Sequence, residues 1–120
     1  MKKNSYSKFF FKGLAPDKKI SLSEWADAYR VLSSRASGEP GKWRTKRTPY
    51  LKEIMDALSP TSSIREVIFM KGSQVGATEV GVNWLGYCIH QAPGGGAILA
   101  VQPTLDLAKR FSKQRLEPMI

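Results

Sequence analysis

Lys71, Gln74, Gly76 and Thr78 lie close together in "VIFMKGSQVGATEVGVNWL" (67–85), and such a set can hold a phosphate chain. Lysine supplies a flexible cation and threonine a hydroxyl for a divalent metal ion. Glycine, lacking Cβ, lets backbone N–H groups approach an anion. The familiar loop reads G-x-x-x-x-G-K-[ST] between a strand and a helix. Laid on 71–78, it puts Lys71 at the first glycine, Gly76 at the second, Ala77 where the lysine belongs and Thr78 on the hydroxyl. The cation has moved to the opposite rim. From there a long stem can fold back over β/γ-phosphates, with Thr78 placed for Mg²⁺ and the start of a helix adding partial positive charge. A plain strand-to-helix connection has the same outline, so this pattern alone leaves both readings open.

The elements that must position these residues can be read from periodicity and punctuation. Residues 65–70, "REVIFM", have the short β-branched profile of a buried strand, and 97–102, "AILAVQ", a second. Between them, 78–91 is apolar on most sides, as in a helix covered by several neighbours. Residues 92–96 form a turn, and a further helix follows Pro103-Thr104. The order is β-loop-α-β-α, the opening of a parallel α/β sheet.

Upstream, Ser21 or Ser23 caps a helix "LSEWADAYRVLS" with Glu24 in its first turn. Its apolar face holds Leu22, Trp25, Ala26, Tyr29 and Val31/Leu32. Residues 34–48 read as a loop. Thr48 is expected to cap, and Pro49 to open, a helix ending at Pro60, with Tyr50, Ile54, Ala57 and Leu58 on its inner stripe. Trp25 and Trp84 are expected in the core. His90 is expected as a satisfied surface or capping residue, and Glu79 as a carboxylate complementing the helix dipole.

The 120 residues carry 19 Lys+Arg against 10 Asp+Glu, net +9. Residues 1–50 hold 12 basic and 4 acidic side chains, residues 51–120 only 7 and 6. That asymmetry fits a basic flexible arm over 1–21 that meets a polyanion, or a solubilising tail. "KWRTKR" (42–47) offers Lys42, Arg44, Lys46 and Arg47 to a phosphate backbone; a solvated loop is the plainer account. One cysteine, Cys88, and one histidine, His90, exclude an internal disulfide and make imidazole or thiolate metal chemistry improbable. The apolar run at Phe9–Phe11 stops at Lys12, too soon for an export signal or a membrane span. A cytosolic protein is expected.

"FMKGSQVGATEV" resembles the displaced-lysine Walker A of lambda-type (GpA-like) phage terminase large subunits. Their loop runs Lys, two small residues, Gln or Arg, Val, Gly, any residue, Thr or Ser. "GKWRTKRTPYLKEIMDALS" is similar to the family's adenine-side segment, and "AILAVQPTLDLAKRFSKQRLEPMI" to its strand-Pro-Thr-helix segment. The resemblance covers roughly 22–120. It implies an α/β fold, an incomplete P-loop NTPase (RecA/helicase-like) parallel sheet preceded by an N-terminal helical segment. A helical adenine-side part would occupy 22–64, and 65–120 the first β-loop-α-β-α of the ATPase core.

The same resemblance implies ATP and Mg²⁺ as cofactors. Lys71 would bind the β/γ-phosphates, and Gly76 would shape the cradle. Gly72, Ser73, Gln74, Val75 and Ala77 would offer backbone N–H groups, and Thr78 would hold the metal. Tyr50 would stack on adenine, helped by the Trp43–Arg44 region, with Leu51 standing where the family often has Gln. Double-stranded DNA, a small terminase subunit and a portal protein would be the partners, in the host cytoplasm, and no membrane is implied.

Neither expected strand ends in the paired acids of a Walker B element, and no carboxylate cluster suggests a two-metal nuclease. The chain therefore reads as the N-terminal part of a longer motor, able to bind nucleotide but not to turn it over. Two other readings remain: the first βαβ unit of a helicase-like ATPase, and a non-catalytic basic DNA-binding module.

Overall fold

The computed structural model describes residues 5–16, 18–35, 37–91 and 96–119. Inside the expected arm, Ser5–Leu14 form an α-helix (α1). Tyr6, Phe9, Phe10 and Leu14 recur at helical spacing, opposite Lys8 and Lys12, and these apolar side chains stay exposed.

Ser21 caps α2 (Leu22–Tyr29): its hydroxyl accepts the Glu24 N–H, and its own N–H donates to Glu24 Oε2 at 2.9 Å. Such a reciprocal cap is worth about 1 kcal/mol. The helix stops at Tyr29, short of the expected Ser33. Arg30 turns extended, and Val31–Leu32 (β1) pair antiparallel with Gly41–Lys42 (β2), Val31 opposite Lys42 and Leu32 opposite Gly41. The stretch expected as a loop thus contains β2 and a 3₁₀ turn, Thr45–Arg47. Trp43 organises it. Its indole is buried and donates to Thr45 Oγ1 at 3.1 Å, its N–H donates to Arg30 O at 3.0 Å, and the Thr45 N–H reaches Asp27 Oδ1 at 2.6 Å. One buried aromatic overrides the lack of periodicity.

Helix α3 (Tyr50–Ala57) follows Pro49, which is the cap residue rather than the first helical one. The expected Thr48 side-chain cap is not made. Its inner face is rotated from the expected stripe: Leu51 and Met55 are buried, while Tyr50 is exposed. Helix α4 (Ala77–Gln91) packs against α2 and α3. The core between them joins Leu22, Trp25, Ala26, Trp43, Leu51, Met55, Val80 and Tyr87. Trp84, expected there, is 37% exposed instead. Thr104 caps α5 (Leu105–Phe111), which continues as a π-helical stretch, Ser112–Leu116.

Among the described residues the only sheet is the β1–β2 pair, so the expected parallel sheet is not among them. Residues 65–70 and 97–102 form no ladder, and Ile68, Met70, Leu99 and Val101 are exposed. An apolar run asks for cover on both faces but cannot name what supplies it. Only Phe69 reaches the core, at its edge.

Two polar ties hold the helices in register. Between α2 and α3, the Leu22 N–H donates to Ser59 Oγ at 2.8 Å, and Asp56 accepts from Ser23 Oγ and Lys52 Nζ. Burial pushes the Asp56 carboxyl up, but hydrogen bonds from Lys52, Ser23 and Ser21 outweigh it and hold the group below its ordinary range. Between α2 and α4, Arg30 is 4% exposed. Its guanidinium donates to Asn83 Oδ1 at 2.9 Å, Val31 O at 2.6 Å and Glu79 Oε2 at 3.1 Å. Glu79 also pairs with Arg115 of the π-helical stretch. Its carboxylate is thus a junction of three segments, not just a complement to the helix dipole.

Two stability measurements test this packing. A Cβ built on Gly86 falls 2.7 Å from Trp25 Cη2 and 3.1 Å from Met119 Sδ, whereas one on Gly81 meets nothing within 4 Å. Alanine normally favours a helix over glycine by about 1 kcal/mol. Overpacking, at roughly 1–3 kcal/mol, reverses this at Gly86. Gly86→Ala should lower urea-denaturation stability and Gly81→Ala raise it; equal gains at both sites would show that Trp25 does not press on α4. Glu79→Ala leaves a buried cation short of a partner and should cost about 3 kcal/mol, and a loss within error of zero would remove the junction.

Candidate nucleotide-binding site

Residues 71–76 cross from the segment after Phe69 to the first turn of α4. Two of them take left-handed backbone: Gln74 at φ 55° and Gly76 at φ 84°. For a non-glycine residue such as Gln74 this costs on the order of 1 kcal/mol, and such strain gathers at ligand clamps. At Gly76 the positive φ favours glycine, and a Cβ would also lie 3.0 Å from Leu51 Cδ1, which would have to give way. Gly76 O accepts the Val80 N–H at 3.1 Å, so the loop feeds directly into the helix, whose first N–H groups have no partner within it.

Lys71 is exposed, and its ammonium donates to Gly72 O at 3.3 Å, keeping the charge at the loop. Gly72, Ser73, Gln74 and Thr78 are exposed; Val75, Gly76 and Ala77 are half-buried. The Tyr50 hydroxyl donates to Val75 O at 3.1 Å, fastening α3 to the loop with the ring on the surface. Leu51, the next residue, is fully buried beneath Gly76 and so cannot pack on a base. Tyr50 and the loop are brought together; Trp43 lies in the core, where no base can reach it.

Thr78 borders a hollow of about 290 Å³ between α4 and residues 98–102, which Trp84 also lines. Among the described residues no group of three or more His, Cys, Asp or Glu could hold a metal ion alone. A cation at Thr78 would need phosphate oxygens to complete its coordination, the habit of Mg²⁺ with nucleotides. Left-handed backbone over a leucine, a lysine against the loop and a helix start with a hydroxyl in its first turn all fit a metal-bound triphosphate.

The basic stretch lies just ahead of α3. Lys42, Arg44, Lys46 and Arg47 are all exposed; Arg47 pairs with Glu39. Lys42, Arg44 and Arg47 line one hollow, and Lys46 is not part of its wall. Sequence reasoning missed Arg30 and Asn83. The signal was there, a cation and an amide interrupting otherwise apolar helical faces. His90 accepts the Trp25 indole N–H at Nδ1, 2.8 Å away.

No helix among the described residues is long and apolar enough to cross a membrane. No curated protein and no solved structure matches the chain. A family described as "Phage terminase large subunit gpA, ATPase domain" matches residues 37–120, a span that includes the loop, Tyr50 and the basic stretch. The chain belongs to that terminase ATPase-domain family.

Proposed function

We propose that this chain is the ATP-binding portion of a DNA-packaging motor that translocates and cuts double-stranded viral DNA in the host cytoplasm. Residues 71–78 are its phosphate loop, a Walker A with the lysine displaced. The observation that carries this reading is the left-handed pair Gln74 and Gly76, seated on Leu51 and leading into α4. Lys71 swings from Gly72 O onto the β/γ-phosphates. The N–H groups of residues 72–77 would receive the phosphate oxygens, and the Thr78 hydroxyl would hold the metal. Tyr50 lays its exposed ring against adenine while its hydroxyl holds Val75. Mg²⁺ bound with ATP would spread the charge of the terminal phosphates. In the assembled motor, residues 65–70 and 97–102 would pair in the family's parallel sheet, covering the apolar side chains now exposed. Lys42, Arg44, Lys46 and Arg47 would meet DNA, with a small terminase subunit and a portal protein as further partners.

The exposed basic stretch also supports a second reading, a DNA-binding module indifferent to nucleotide. Titration with a fluorescent ATP analogue separates the two. Lys71→Ala should weaken Mg²⁺-dependent binding at least about tenfold, the loss of a charge-assisted hydrogen bond. Tyr50→Phe, which keeps the ring but frees Val75 O, should weaken it about threefold. Absence of nucleotide binding in the parent chain, or binding untouched by Lys71→Ala, would favour the module.

A further inference from the structure

The hairpin and the 3₁₀ turn with the residue that follows it border a hollow of about 340 Å³, lined by Lys42, Trp43, Arg44, Arg47, Thr48 and Glu39 among others. Three cations converge on it and one carboxylate faces them. Glu39 is held by a tight turn: its N–H donates to Ser37 Oγ and its carbonyl accepts the Ser37 hydroxyl, both at 3.2 Å. From that turn its carboxylate pairs with Arg47. The two side chains are 69% and 61% exposed, and an ion pair so open to water contributes little to stability. A resident acid here gives up little if another anion takes its place. Arg47 presents a planar fork that suits phosphate as well as carboxylate.

Thr48 is the second, independent sign. Its Oγ1 is buried and has no hydrogen-bond partner among the described residues. Buried hydroxyls are normally satisfied; enclosed as it is, this one reaches an anion in the hollow only when its side chain turns outward. Trp43 forms the floor and is packed into the core, so stacking of a nucleobase is not available there. What remains is a site for a single compact anion with several oxygens.

We propose that this hollow seats one backbone phosphate of a DNA duplex, with Glu39 as the resident counter-ion that the phosphate displaces from Arg47 and Thr48, its side chain turned outward, as a neutral donor to it. This rests on the reading that the basic stretch meets DNA, and is independent of the nucleotide loop. Glu39 thereby works as selectivity against weak anions: a polyanion gathers enough contacts to expel it, whereas an isolated anion does not.

The test is fluorescence anisotropy with a short labelled duplex of arbitrary sequence, across a salt series. Glu39→Gln should tighten binding severalfold and steepen the slope of log K against log salt by up to about 0.9, the release expected for one phosphate. Arg47→Ala should weaken binding and abolish most of the gain from Glu39→Gln. Thr48→Val should weaken binding severalfold without changing the salt slope. Its thermal stability should be unchanged or higher, because an unpartnered buried hydroxyl has been removed. Parent-like affinity and slope in Glu39→Gln would overturn the counter-ion role. A Thr48→Val chain that is less stable yet binds DNA normally would make that hydroxyl structural. Failure of the parent chain to bind duplex at all would sink both the site and the DNA assignment of the basic stretch, leaving the ATP titration to judge the nucleotide loop separately.

Discussion

A guanidinium leaves water only if other acceptors replace its hydration, and Arg30 is almost wholly enclosed. Three acceptors do so: Val31 from its own strand, Asn83 from inside α4 and Glu79 from the first turn of α4. The charge contributes modest net stability, since desolvation offsets much of the attraction. Its consequence is uniqueness. Sliding α2 along α4 by one turn would strand the cation. The same arrangement ends α2 at Tyr29, starts β1, and lets Arg30 O receive the Trp43 N–H, which anchors the hairpin. The Arg30 junction thus fixes both the hairpin that carries Trp43 and the first turn of α4 that follows the 71–78 loop.

The loop itself depends on α3. Leu51 supplies the floor against which Gly76 must come close, and Tyr50 ties the outer edge through Val75. Consecutive residues of one helix thus do different work, one apolar and buried, one polar and at the rim. A leucine at position 51 makes sense here as support for the backbone. The loop's strained turn is held from below and from the side before any ligand arrives.

How much of this could be read in advance follows from where the determinants lie. Ser21 with Glu24, Thr104 before α5, and the span of α4 are local patterns, and they appear where expected within a residue or so. The composition of residues 71–78 is local too, and its order of residues pointed to the family. The early end of α2 was not legible, because Arg30 is captured by Glu79 and Asn83, some fifty positions away. The rotated face of α3 was hidden for a related reason: Tyr50 and Leu51 are both apolar enough to be buried, and only the position of Gly76 decides between them. Trp84 shows the converse, a large aromatic left at the surface where the runs 65–70 and 97–102 lack ladder partners among the described residues.

Those two runs have a colloidal consequence. Ile68, Met70, Leu99 and Val101 form bare apolar surface beside backbone that is not committed to a sheet, the chemistry from which intermolecular edge pairing grows. Against this stands a net charge of +9, whose repulsion reaches about 10 Å at 0.1 M salt and only about 3 Å at 1 M. Dilute, low-salt solutions are thus the regime in which separate molecules persist, and concentrated brine the one in which they clump.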